Sequence, residues 1–443
     1  MNTVRLLTYI IFAYTTVEGL IINVSYPNTL PFIYKDFMIV LAYLALATSE
    51  RPNGGGTILK VWTPLVGYCI VTCFFLAMPS QVSLLGELVA IKQRLFYIPL
   101  VWVGYFFTRD EQDFLGLARL MAWTAIPAGI FGIYLYFVGP VGLTSLGANY
   151  SAVFNSTAGE HNISFWRVPG TFTSPGQYGM FLLANAVLFV GVLFTKGVEK
   201  RQHTLTMVAL VVMLGALMVS GSRAPLLLFM MCSVAMLAVT GRLTGIGLWA
   251  GGLYGVFTVG FMYLGGGVQD RVGSIASWDH VTRFQETYFG QLFWPMLIQA
   301  PMGFGLGRAT IGARHFTDWS NIMLVESYFG IIVAETGIIG LAAFVWAILT
   351  VVVTLVQCRT VMSRSASNVL WYATALLVLS IAGLMPISTS IDAAPGNLYF
   401  WFFLGAAIRL YDIEVTRRRG LAAPGALSAP GLGPAAVYPV SYQ

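Results

Sequence analysis

Apolar stretches long enough to cross a bilayer recur along nearly the whole chain. A helix needs about 20 such residues to span a hydrocarbon core. Windows of that kind fall near residues 7–25, 31–48, 61–79, 86–107, 119–138, 175–195, 204–221, 223–240, 244–264, 324–348, 368–385 and 396–410. Only 9% of residues are charged and 57% are hydrophobic, where a soluble domain carries about 25% charged residues. The chain therefore reads as an all-α polytopic membrane protein with about 12 transmembrane helices. The window after Arg5 reads as a first span and not as a cleavable signal. Cys69, Cys73, Cys232 and Cys358 lie in or beside apolar segments, so a disulfide scaffold is not expected. The four histidines, at 161, 203, 280 and 315, are scattered, and neither a metal site nor a cofactor is expected.

The positions of the basic residues set an orientation. If the N-terminus is cytoplasmic, fifteen of the 24 lysines and arginines fall in short inside loops or at inside termini, which is what the positive-inside rule requires. The net charge of +6 is thereby explained by topology, and no nucleic-acid partner is implied. Nine basic residues remain on the outer side: Lys35, Lys92, Arg94, Arg167, Arg223, Arg271, Arg283, Arg308 and Arg314. The topology rule disfavours them there, so something at that face is expected to want positive charge.

Two outer loops are long, about 139–174 and 265–323, and are rich in Gly, Pro, aromatic and Ser/Thr residues. Loops of that length in a compact protein are usually functional, and these would cover a cavity at the outer surface. The division expected is a transmembrane domain over 1–410 and a cytoplasmic, largely disordered tail over 411–443, Ala/Pro/Gly-rich from Gly420 onward.

The outer charges sit in short motifs. Arg167 lies in WRVPGTFTSPGQYG, just before the sixth window. Arg223 lies in SGSRAP, at the head of the eighth, where Pro225 suits a first helical turn and the free N–H groups favour an anion. Lys92 and Arg94 lie in IKQRLFYIP, and Arg283 in DHVTRFQETYFG. Arg308, Arg314 and His315 lie in GFGLGRATIGARH, ahead of VESYFGIIVAETGIIGL, where Glu326 opens the tenth window. Arginine holds phosphate through a planar fork that stays charged, so several converging arginines suit a diphosphate. Glu326 is placed to accept a proton from a sugar hydroxyl, with His315 as the second candidate base. Taken alone, a cation at a helix end is more often an interfacial anchor than a ligand. Lys35, Arg271, Arg308 and Arg314 are read that way, and Glu335 is read as structural. GFGLG lacks the flanking strand and helix of a dinucleotide fingerprint.

The order R-x-P-G-T-F, G-S-R, long outer loop, P-x-G-x-G-x-G and AETGIIGL resembles the O-antigen ligase and polymerase superfamily, over about residues 85–345. Its members are the Wzy-type polysaccharide polymerases and the WaaL-type O-antigen ligases. The resemblance implies a GT-C-type membrane glycosyltransferase, independent of metal, in the bacterial inner membrane with its active site facing the periplasm. The donor and acceptor would be undecaprenyl-diphosphate-linked oligosaccharides, and a chain-length regulator would be a partner. Arg167 and Arg223 would hold the donor diphosphate, and Arg283 lies where relatives carry a further arginine. Ligases typically have His-Asn where this chain has Glu326-Ser327, which favours a polymerase. The alternatives are a ligase acting on lipid A-core and, in another class, a lipid-linked oligosaccharide flippase. Against the flippase stand the missing internal repeat and the gathering of basic residues at one face.

Overall fold

The structure, a computed structural model, describes residues 3–25, 30–49, 55–78, 80, 82–139, 167–241, 293–363, 368–389 and 391–421, together with 251, 252, 255, 258, 262, 282 and 286. Every extended element among them is helical. In chain order they are α1 (Thr3–Ser25), α2 (Leu30–Ala47), α3 (Gly56–Phe74), α4 (Leu84–Leu95), α5 (Leu100–Phe107), α6 (Glu111–Val138) and α7 (Pro175–Phe194). There follow α8 (Lys200–Val219), α9 (Arg223–Val239), α10 (Trp294–Gln299), α11 (Tyr328–Met362), α12 (Asn368–Leu384) and α13 (Gly396–Leu421). Six of the described helices are long and apolar enough to cross a membrane: α1, α3 with its following turn, α6, α7, α8 and α11. Helices α9 and α12 are apolar but shorter. The chain is thus a helical, multi-pass membrane protein.

Packing is helix on helix around α7, which is buried on almost every face. Close approaches use small residues, as is common between helices in a bilayer. A Cβ added at Gly104 in α5 would lie 2.0 Å from the Phe402 carbonyl oxygen in α13, and one at Gly405 would lie 1.9 Å from that of Val101. No larger residue fits this crossing.

Two expectations about the elements need revision. The window at 86–107 is two helices, because Pro99 has no N–H and the chain tightens to i→i+3 bonds through Phe96–Pro99, including Ile98 N–H to Leu95 (3.2 Å) and Leu100 N–H to Tyr97 (3.0 Å). The last helix does not stop at 410 but runs to Leu421, with Asp412 and Glu414 buried and the Arg418 Nη2 donating to the Val361 carbonyl (2.9 Å). Residues 422–443, most of the window at 244–264, most of the first long loop and most of the second up to 292, Arg271 included, lie outside the described residues.

Polar contacts sort the helix ends into two groups. Arg5 of α1 pairs with Asp113 of α6. Arg119 of α6 donates to Gln202 of α8 (2.9 Å), and Arg409 of α13 donates to the Thr108 carbonyl after α5 (3.3 Å). Thr57 of α3 donates to Asp412 (2.9 Å). Together with the Arg418 contact from α13 to Val361 of α11, these contacts gather the tails of α5, α11 and α13 and the heads of α1, α3, α6 and α8 at one end. This is the basic end, and it holds the residues assigned to the inner side. The heads of α7, α9 and α11 lie at the other.

Candidate functional site

At that opposite end the Arg167 and Arg223 motifs come together. Val168 packs with Val219 at the tail of α8 and with Leu135 at the tail of α6. Ser222, immediately before Arg223, donates its hydroxyl to the Pro175 carbonyl (3.1 Å) in the first turn of α7. A Cβ at Gly179 would lie 2.6 Å from the Ser222 Oγ, so the heads of α7 and α9 touch with no room to spare. Arg167 and Arg223 are both half-buried.

Each motif is fixed by its own sequence. Between α8 and α9 the chain reverses through Gly221, at φ +61°, a conformation that glycine adopts without steric cost. The Ser220 hydroxyl accepts the Ser222 N–H (3.2 Å) across this turn. After Arg167, Gly170 at φ +57° faces the Tyr178 ring, and Phe172 N–H closes a turn onto Pro169 (3.0 Å). Ser174 then caps α7 by accepting from Gln177 N–H (3.3 Å), with Pro175 in the first turn. The turn is also held by α1. Leu20 N–H donates to the Thr171 carbonyl (2.8 Å), and the Thr171 hydroxyl donates to the Thr16 carbonyl.

Glu326 is exposed just before α11. Its neighbour Ser327 caps that helix by accepting from Gly330 N–H (2.9 Å), and Tyr328 N–H is shared by the carbonyls of Met385 (3.0 Å) and Ser388 (3.2 Å) after α12. Helices α9 and α11 run parallel with α12 antiparallel between them, since the tails of the first two and the head of the third line one cleft at the basic end. Glu326 and Arg223 therefore lie at the same end of the bundle.

Lys92, Arg94 and Lys35 have their charges balanced within the chain. Arg94 is wholly buried, and its Nη2 pairs with Glu335 Oε2 at 2.6 Å. Lys92 pairs with Asp36, which also accepts from the Tyr97 hydroxyl (3.0 Å). The Lys35 Nζ reaches both Glu18 oxygens at 2.8 Å in a buried pair, so it is no interfacial anchor. For these three, carboxylates on α1, α2 and α11 meet the demand for positive charge. Arg283 lies outside the described residues, and of His315 and Arg314 only the backbone is described, in a tight turn over Ile311–Phe316.

Glu335 organises the segment before that turn. Its Oε1 accepts from Ala309 N–H (2.7 Å) and Thr310 N–H (2.6 Å), the two amides that follow Arg308. Phe304 N–H donates to the Ala334 carbonyl (2.7 Å), and Ile338 N–H donates to that of Pro301 (2.9 Å). Helix α11 breaks at Gly337 (φ 59°, ψ −154°) to admit the segment. Gly303, Gly305 and Gly307 all have positive φ. The segment then lies along α4, where Gln93 accepts from Gly312 N–H (3.3 Å). The half-buried Arg308 sits with its guanidinium carbon 6.0 Å from the Phe304 ring centre, and its carbonyl accepts from Met323 N–H (2.7 Å), three residues before Glu326. Arg308 is thus held close to the segment that leads into Glu326. Its sequence signal is the string of glycines preceding it.

No cluster of metal-binding side chains occurs among the described residues. In comparisons with known proteins, no family model and no curated protein matches the chain. The resemblance to the O-antigen ligase and polymerase superfamily accordingly rests on the short motifs.

Proposed function

We propose that the chain is a membrane-embedded polysaccharide polymerase, transferring an undecaprenyl-diphosphate-linked glycan to a sugar hydroxyl of another lipid-linked repeat. The observation that carries this reading is the meeting of the Arg167 and Arg223 motifs, through Val168 with Val219 and Ser222 with Pro175, at the end opposite the basic one. The acceptor hydroxyl attacks the anomeric carbon, the bond to the diphosphate oxygen breaks, and the configuration inverts. Arg167 and Arg223 offset the charge that grows on the departing diphosphate, an interaction stronger in the transition state than in the ground state. Glu326 takes the acceptor proton, with His315 as second candidate. Arg283 and Arg308 are further cations for the donor.

On this reading the helices described, with a span at 244–264, make about twelve crossings of a GT-C-type enzyme in a bacterial inner membrane. The site end faces the periplasm, and a chain-length regulator acts alongside. The deciding experiment is gel analysis of surface glycans after deletion of the gene, with complementation by wild type and by Glu326→Gln. Loss of the long ladder with single repeats still reaching their acceptor is the result expected. Loss of every repeat from the acceptor, with long lipid-linked glycan accumulating, makes the protein a ligase instead.

A further inference from the structure

At the basic end, far from the arginine motifs, the tails of α9 and α11 and the head of α12 enclose a cleft of about 440 Å³, within the range of roughly 300–1,000 Å³ typical of small-ligand sites. The gap exists because its inner wall is built of alanine: Ala235 and Ala238 one turn apart on α9, and Ala375 facing them on α12. Deeper in the bundle the two helices close together where Cys232 Sγ and Ser380 Oγ meet at 2.9 Å.

The mouth of the cleft differs from its floor. Arg359, in the last turn of α11, is exposed there. Trp371 and Tyr372, near the start of α12, also line the cleft and are 2% and 5% exposed. The Trp371 Nε1 and the Tyr372 hydroxyl are buried and have no hydrogen-bond partner among the described residues. A buried donor left unpaired costs about 1–3 kcal/mol, so an acceptor in the cleft would favour a small rotation of either side chain toward the opening. A slot that is apolar within, has two donors beneath its rim and carries a cation at its lip matches a phospholipid. The slot would take an acyl chain, the two donors would meet ester or phosphate oxygens once rotated toward the opening, and Arg359 would face an anionic headgroup. The leaflet at a basic end also supplies such lipids to interfacial arginines.

We propose that this cleft is a binding site for one phospholipid with an anionic headgroup, drawn from the leaflet at the basic end. The proposal stands apart from the assigned chemistry, because none of these residues belongs to the site at the other end.

The test is native mass spectrometry of the full chain in detergent, titrated with phosphatidylglycerol and with phosphatidylcholine of the same acyl chains. The expected result is saturable retention of one phosphatidylglycerol per chain, with phosphatidylcholine held much more weakly. Arg359→Gln, at an exposed position, should weaken phosphatidylglycerol about fivefold, the worth of one interfacial cation. Ala238→Leu should fill the slot and abolish retention of both lipids, with monodisperse elution and helical content as the check on folding. Equal, unsaturable uptake of the two lipids, unchanged by Arg359→Gln, overturns the proposal. Crosslinks from position 238 to the chain's own residues 242–292 overturn it too, since the slot would then have an internal occupant.

Discussion

Arg94 and Glu335 stand 241 residues apart in the chain and 2.6 Å apart in the fold, with both side chains fully removed from solvent. Glu335 spends its other oxygen on the amides of Ala309 and Thr310. One carboxylate therefore ties α4 and α11 to the segment that carries Arg308.

Breaking that tie from one side should be costly. Arg94→Met strands a buried carboxylate, at about 3–5 kcal/mol, and the unfolding temperature of the purified protein should fall accordingly. Adding Glu335→Gln should recover much of the loss, because an amide oxygen still accepts from Ala309 and Thr310 and no charge is left unpaired. Losses that simply add in the double variant would mean that the two side chains are not coupled.

Arg223→Ala should abolish polymerisation while the protein still inserts and accumulates normally. Arg223→Lys should recover little, since a point charge does not reproduce the guanidinium fork. Lys92→Ala should retain polymer length, because Lys92 is paired with Asp36 and 44% of its side chain is exposed. Glycan ladders from complemented cells read all three, and full activity in Arg223→Ala would remove Arg223 from the mechanism.

Gly19→Ala probes the Arg167 turn from a distance. The added Cβ would lie 2.3 Å from Phe172 Cα, a backbone atom that cannot swing aside. A shift of about 1 Å in a positioned group can cost a hundredfold in rate, so polymer yield should drop by roughly tenfold to a hundredfold. Gly56→Ala, which meets nothing within 4 Å, is the control and should behave as wild type.

Gly337→Ala and Gly383→Ala should move stability in opposite directions. At Gly337 the backbone has φ 59° and ψ −154°, and a Cβ would lie 2.1 Å from the Pro301 oxygen. That conformation belongs essentially to glycine and costs other residues about 1–3 kcal/mol before any clash. Gly383 is helical, with open space around it, and alanine there should gain about 0.5–1 kcal/mol. Thermal unfolding of the two variants in one detergent is the comparison to make.

Much of the helical layout was legible because apolar length survives any tertiary arrangement. The windows at 175–195, 204–221 and 368–385 correspond to α7, α8 and α12. The end of α11 was not, since the expected boundary at 348 cuts a run, Leu349 to Met362, that contains no glycine or proline to stop a helix. The carboxylate partners were not legible either. Glu18 with Lys35, Asp36 with Lys92 and Glu335 with Arg94 depend on how separate helices align, and no local pattern encodes that alignment. Pro225 did point to a helix starting at Arg223. What brings that helix start to Pro175 is the packing of α7 and α9.

The long separation of Arg94 from Glu335 also sets an order of events at the ribosome. Lys35 meets its carboxylate at once, since Glu18 is already made, whereas Arg94 enters the membrane with its counter-charge still unsynthesised. At roughly 5–20 residues per second, 241 residues take about 10–50 s. Through that interval α4 carries an unbalanced guanidinium that a bilayer centre disfavours by about 2.5–3.5 kcal/mol. Only once α11 has been made can Glu335 close both contacts, the one to Arg94 and the one to the glycine-rich segment.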